Sequence, residues 1–166
     1  MIRIHLRSAV LALGMFLLTL VLSAPAHAER MVKHGQYQIH YNTVTTSFLT
    51  PEVAQAYGIV RSAYQALLNI AVLRENPDGT TTPVQALVTG EVGNLVEQAR
   101  PLSFQIVREQ NAIYQLATFR FTQDDATRFR LQIRVDPNQP PYELSFIDRF
   151  YVDPPKGGAQ VSPLIQ

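Results

Sequence analysis

Cysteine is absent from the chain. Disulfides, thiolate nucleophiles, thiolate metal sites and a lipid anchor on a cysteine behind the leader are therefore all excluded. Histidine is scarce. Of the four present, His5 and His27 belong to the N-terminal leader described below, which leaves His34 and His40. On one extended strand those two would stand roughly 20 Å apart, too far to share an ion, so no metal site is expected. No Gly-x-Ser-x-Gly occurs, and neither histidine has an evident acid partner, so a nucleophilic triad is not indicated. Glu91, Glu97, Glu143 and Asp148 are available as paired carboxylates for glycoside hydrolysis, yet two acids can be found in almost any chain. Asp124-Asp125 lacks calcium-loop spacing and reads as a turn or cap.

A membrane-spanning run is also missing. Residues 9–22 are apolar and uncharged, but these about 14 residues fall short of the roughly 18–20 that a permanent span needs. Arg3 and Arg7 precede the run, and Ser23-Ala24-Pro25-Ala26-His27-Ala28 follows it. A positive start, a short apolar stretch and small residues at Ala26 and Ala28 make a cleavable secretory signal over residues 1–28, with the mature chain beginning at Glu29. No stable membrane anchor is expected after cleavage.

Charge of one sign is lacking too. The chain has 14 Lys+Arg against 13 Asp+Glu, and loss of Arg3 and Arg7 with the leader leaves 12 against 13. A near-neutral domain has no electrostatic basis for nucleic-acid binding. The 138 residues from Glu29 to Gln166 make about one domain, large enough to bury a core without cross-links.

What the chain does have is alternation with a period of two. In Arg128-Phe129-Arg130-Leu131-Gln132-Ile133-Arg134-Val135, the four apolar residues share one face of a strand and the polar ones share the other. Residues 142–152 repeat the pattern, with Asp148 placed on the apolar register between Phe146 and Phe150. That carboxylate must be satisfied by backbone or an arginine, or turned outward by a bulge, and a structural role is expected. The two runs form an antiparallel hairpin around the loop 136–141. Only odd residue sums keep both apolar sets on one face, and a sum of 277 would set Arg134 opposite Glu143 and Ile133 opposite Leu144.

Further strands are expected over 36–44, 67–73, 84–92, 102–106 and 113–121, which gives about seven or eight in all. The 67–73 run is apolar on both faces apart from Asn69, as in a strand inside a sheet. Asn76-Pro77-Asp78-Gly79 supplies turn chemistry. Thr50-Pro51-Glu52-Val53-Ala54-Gln55-Ala56-Tyr57-Gly58 predicts one short helix, with a hydroxyl cap, proline at the first position and a terminal glycine. The tail 154–166 reads as flexible.

Two groups stand out as candidate binding residues. Successive outward side chains of that strand stand roughly 6.6–6.8 Å apart, so Arg128, Arg130 and Arg134 suit an extended anionic surface, unless Glu143 offsets them. Arg61 and Tyr64 follow the helix, and either tie it down or line a small pocket. Tyr37, Tyr41, Phe104, Tyr114, Phe119 and Phe121 are read as plain core, with the lining of a ligand pocket as the alternative.

Tyr37-Gln38-Ile39-His40-Tyr41-Asn42, Phe48-Leu49-Thr50-Pro51-Glu52-Val53-Ala54, Tyr57-Gly58-Ile59-Val60-Arg61-Ser62 and Leu68-Asn69-Ile70-Ala71-Val72-Leu73 resemble a proteobacterial family of exported proteins, the domain of unknown function numbered 4426. The resemblance covers most of the mature chain and is densest over 37–73. It implies a Gram-negative periplasmic setting and a β-rich fold, and it brings no catalytic residues.

The expected fold is a single antiparallel β-sandwich over 29–153, with immunoglobulin-like strand order as one form of it. The expected function is a non-catalytic periplasmic binding or envelope accessory module whose partner is an envelope protein or an anionic envelope component. No cofactor or nucleic-acid partner is expected. The alternatives are a hydrolase of envelope glycan or peptide, and a carrier of lipid or a small apolar ligand.

Overall fold

A computed structural model describes residues 30–152 except 97 and 98. The expected signal peptide and C-terminal tail lie outside the described residues. Ten strands form two antiparallel sheets: β1 (Arg30–His34), β2 (Tyr37–Thr45), β3 (Gln65–Glu75), β4 (Thr81–Val84), β5 (Leu87–Asn94), β6 (Arg100–Pro101), β7 (Gln105–Arg108), β8 (Ile113–Arg120), β9 (Ala126–Arg134) and β10 (Tyr142–Arg149). Sheet A runs β1-β2-β3-β8-β7 with β4 also on β3, and sheet B runs β10-β9-β5-β6. Within these, β2-β3-β8-β7 facing β10-β9-β5-β6 reproduces the A-B-E-D and G-F-C-C′ orders of an immunoglobulin sandwich.

Ten strands rather than seven or eight arise because two apolar runs cross between sheets. The 84–92 run ends β4 in sheet A at Val84 and resumes as β5 in sheet B at Leu87. Between them Ala86 is buried, and its carbonyl accepts a 2.9 Å hydrogen bond from Gln115 Nε2 inside the sandwich. The 102–106 run is likewise no single strand. Leu102 and Phe104 pack into the core while the chain passes from β6 to β7. Strand β1 was not foreseen, since Arg-Met-Val-Lys-His offers alternation only at Val32.

The core forms where the inward faces meet. Ile39, Leu68, Ile70 and Val72 of sheet A pack against Phe129, Leu131 and Ile133 of sheet B, all essentially inaccessible. Each such side chain contributes about 1.5–3 kcal/mol on burial. Phe129 stacks on Phe146 at 4.5 Å between centroids and meets Phe119 edge-on at 5.1 Å. Five of the six aromatics considered as pocket lining pack in or against this core; Tyr114 belongs to a separate cluster.

The β9–β10 hairpin has the expected odd parity but a different sum. Ile133 pairs with Tyr142, Leu131 with Leu144 and Gln132 with Glu143, so every sum is 275 and Arg134 does not face Glu143. Parity follows from burial of one face, whereas the exact pairing follows from the loop. There Gln139 N donates to Asp136 O at 3.1 Å and Asn138 N to Asp136 Oδ1 at 2.9 Å. Strand β10 stops at Arg149, short of the expected 152.

Asp148 is satisfied by an arginine, and that arginine comes from the other sheet. Its Oδ2 accepts from Arg30 Nη2 and from Thr43 Oγ1, each at 2.5 Å. The Arg30 guanidinium also lies over the rings of Tyr41 and Phe146, at 5.7 and 5.3 Å. Tyr41 against Phe146 and His34 against Tyr142 extend the same seam, at 4.9 and 4.8 Å between ring centroids. Edge strand β1 is thereby stitched over edge strand β10.

The short helix is α1 (Pro51–Ala56). Thr50 Oγ1 accepts from Val53 N at 3.3 Å, Pro51 opens the first turn, and Gly58 ends the helix at φ +65°, a conformation open to glycine at little cost. Two turns do not stand alone in water. Ala54 and Ile59 hold α1 against the outward face of sheet A through Leu67 and Leu116.

Candidate binding face on sheet B

Strand β9 lies inside sheet B between β10 and β5, so its outward residues have cross-strand neighbours on both sides. Thr89, Gln132 and Glu143 align in one row, and Glu91, Arg130 and Ser145 in the next. Around these two rows an open groove of about 560 Å³ runs over Gly90 and Pro101. A Cβ on Gly90 would come within 2.4 Å of Arg130 O and 2.6 Å of Leu131 Cδ2, so close sheet packing requires glycine there.

The three expected arginines share this face. Arg130 and Arg134 are exposed and Arg128 is half-buried. Arg130 Nε donates to Glu91 Oε1 at 2.7 Å, an ion pair open to water on both sides. Such a pair contributes only about 0–1 kcal/mol to stability. Glu91, not Glu143, is therefore the carboxylate that offsets the row. Arg128 and Arg134 make no ion pair or hydrogen bond through their side chains among the described residues. The row thus offers two unengaged guanidinium forks flanking a third that is paired. Each fork presents fixed parallel donors suited to phosphate or carboxylate.

Arg61 and Tyr64 lie elsewhere, on the connection from α1 into β3. Arg61 Nη2 donates to Ser47 O at 2.9 Å and so binds the 3₁₀ turn Thr46–Phe48 to that connection. Thr46, fully buried, makes the parallel tie: its Oγ1 accepts from Ser62 N at 2.9 Å and donates to Ser62 O at 3.2 Å. The Tyr64 ring is exposed, while its carbonyl accepts from Phe121 N at 3.3 Å. No hydrogen bond or ion pair among the described residues joins Arg61 or Tyr64 to the β9 row. Sequence reasoning missed Glu91 as partner of Arg130, because only sheet order brings β5 alongside β9. Among the described residues no three His, Asp or Glu side chains gather as metal ligands. No described helix is long and apolar enough to cross a membrane.

The family model for the domain of unknown function DUF4426 matches residues 31–153. The chain belongs to the DUF4426 family. A crystal structure of a DUF4426 protein from Pseudomonas aeruginosa PAO1 is 32% identical, with a TM-score of 0.66, over 78% of this chain and 99% of that one. A copper-bound variant of FetP from uropathogenic Escherichia coli strain F11 is 10% identical, with a TM-score of 0.54, over 74% of this chain and 95% of that one. FetP of the same strain, as isolated after expression in the periplasm of E. coli, gives a TM-score of 0.53 at 10% identity, over 75% and 94% of the two chains. At that identity the likeness to FetP is one of fold. A search of curated proteins returns no significant match.

Proposed function

We propose that this DUF4426 chain is a non-catalytic binding module of the Gram-negative periplasm, and that it meets an anionic envelope component through the outward face of sheet B. The observation that carries the reading is the β9 row, where Arg128 and Arg134 flank the Arg130–Glu91 pair on an open four-stranded face. Arg128 and Arg134 stand roughly 20 Å apart along a rigid strand, so together they match an extended array of phosphate or carboxylate groups, and each charge-assisted contact is worth roughly 1.5–3 kcal/mol once desolvated. The exported setting rests on the leader at residues 1–28.

The test compares the mature chain with Arg128→Gln/Arg134→Gln, which removes the two unengaged charges and leaves the Arg130–Glu91 pair intact. The probes are phosphatidylglycerol vesicles and lipopolysaccharide, each at low and high salt, with phosphatidylcholine vesicles as the neutral control. Expected is binding to an anionic probe that weakens steeply with salt, because exposed charges are screened beyond about 8 Å at physiological ionic strength. The double variant should keep its unfolding temperature and lose that binding. Equal binding by both forms, or none by the parent on either anionic probe, overturns the reading.

A further inference from the structure

The outward face of sheet B carries apolar side chains that binding to anions alone does not explain. Directly opposed residues of neighbouring strands share a face. Pairing sets Leu87 of β5 beside Arg134, and Ile147 of β10 beside Arg128. Leu87 is 63% exposed and Ile147 50%, whereas the inward-facing Val88 and Leu144 of the same two strands are buried. Each unengaged guanidinium of the β9 row therefore has an exposed aliphatic side chain directly across from it.

These two cation–aliphatic pairs stand roughly 20 Å apart, one towards each end of the row. Between them lie the polar rows Thr89–Gln132–Glu143 and Glu91–Arg130–Ser145. Their two carboxylates are outnumbered by Arg128, Arg130 and Arg134, and Glu91 is already paired with Arg130. A soluble polyanion would engage the arginines and leave Leu87 and Ile147 in water. An anionic bilayer uses both kinds of side chain. Its phosphates meet the guanidinium forks, and the aliphatic groups enter the boundary between headgroups and acyl chains. Arginine suits that boundary, because its stem is apolar and only its head is charged. The strands' own hydrogen bonds stay intact, so no unsatisfied backbone meets lipid.

We infer that sheet B docks face-on against an anionic phospholipid bilayer, with Arg128 and Arg134 on lipid phosphates and Leu87 and Ile147 inserted beside them. The inference rests on the reading of the β9 row as an anion-binding face, and it names the bilayer surface as the anion. The side of the sandwich covered by α1 then points away from the lipid.

The chain has no tryptophan, so one introduced indole reports its own surroundings. Leu87→Trp and Ile147→Trp are compared with Val53→Trp, an exposed position on α1 at the far side of the sandwich. The probes are phosphatidylglycerol vesicles with plain or brominated acyl chains. Expected are blue-shifted emission and quenching by the brominated chains in the two sheet B variants, and neither in Val53→Trp. Leu87→Thr/Ile147→Thr should bind plain vesicles at least about tenfold more weakly, since two aliphatic side chains no longer leave water. Threonine keeps the strand preference, so the fold should survive. Should it not, the quenching comparison decides alone. Quenching absent from both sheet B variants while they bind vesicles, or equal in all three variants, overturns the inference and leaves the arginine row standing as an anion site. So does a parent chain that binds lipopolysaccharide but no vesicles, or a folded Leu87→Thr/Ile147→Thr that binds vesicles as tightly as the parent. Equal binding by the parent and Arg128→Gln/Arg134→Gln overturns the reading of the row and this inference with it.

Discussion

On the outward face of sheet B, β9 presents Arg128, Arg130, Gln132 and Arg134, with Gln132 and the last two arginines exposed to water. On the outward face of sheet A, β3 presents Leu67, Asn69, Ala71 and Leu73, none of them exposed. The same period of two operates in both strands. It determines which residues share a face, but not whether that face is wet. Coverage decides the latter: α1 and the residues just after it rest Ala54 and Ile59 on Leu67 and Leu116, and among the described residues sheet B has no equivalent cover. Sheet A is consequently an inner layer in part, and sheet B an outer one.

The sharpest way to break this contrast is to place the same charge on both outward faces. Leu116→Asp should cost about 4 kcal/mol or more, because it buries an unpaired carboxylate. Gln132→Asp should stay within about 0.5 kcal/mol, as at an ordinary exposed position. Urea unfolding of the two variants measures both, and equal midpoints would show that α1 does not seal the face it covers. A smaller loss is expected where the layers are stitched together. Asp148→Ala leaves Arg30 and Thr43 without their shared acceptor, at about 1–3 kcal/mol for partly buried donors. Thr50→Ala comes next, at about 1 kcal/mol for a lost helix cap. Its effect should be local, so hydrogen exchange should quicken at Ala54 and Ile59 and remain unchanged at Leu131. An unchanged Ala54 would mean that packing alone holds the roof.

The smallest effect is electrostatic and sits at the far end of sheet A. Hydrogen bonds from Lys33 first and Gln38 second hold the Glu75 carboxyl below its ordinary value of 4.5. A carboxyl depressed in the folded state contributes stability that is complete above its unfolded value and is lost as pH falls through the folded one. The unfolding temperature should therefore decline on acidification below pH 4.5, and less so in Glu75→Gln. A decline of the same size in both forms would remove this cluster from the account.

How much of this was legible in the sequence differs from residue to residue. Phe129, Leu131 and Ile133 were readable because four apolar residues in strict alternation admit only one arrangement on a strand. The helix was readable from chemistry at its ends, at Thr50, Pro51 and Gly58. Asp148 announced itself as an acid on an apolar register. Its partner Arg30, 118 residues away, could not be picked, since nothing local ties β1 to β10. The hairpin sum missed by two because burial fixes parity alone and the loop at Asp136 fixes the rest. Crossings at Ala86 and Leu102 looked like continuous strands, because a chain changing sheets stays apolar throughout. Asn69 was visible as the odd residue in its run, and only the sheet order placed it in an outward row between Asn42 and Leu116.

The Arg30–Asp148 seam also bears on the order of events in time. It joins the first described strand to the last, so during synthesis the sandwich cannot close until β10 has emerged. A contact spanning 118 residues carries a large loop-closure cost and belongs late on the folding route. Removing a late contact accelerates unfolding and leaves the folding rate nearly as it was. Asp148→Ala should accordingly steepen loss of the native state in stopped-flow unfolding while its refolding limb overlays the parent. The seam then acts as a kinetic latch, governing how long the finished molecule stays shut more than how readily it forms.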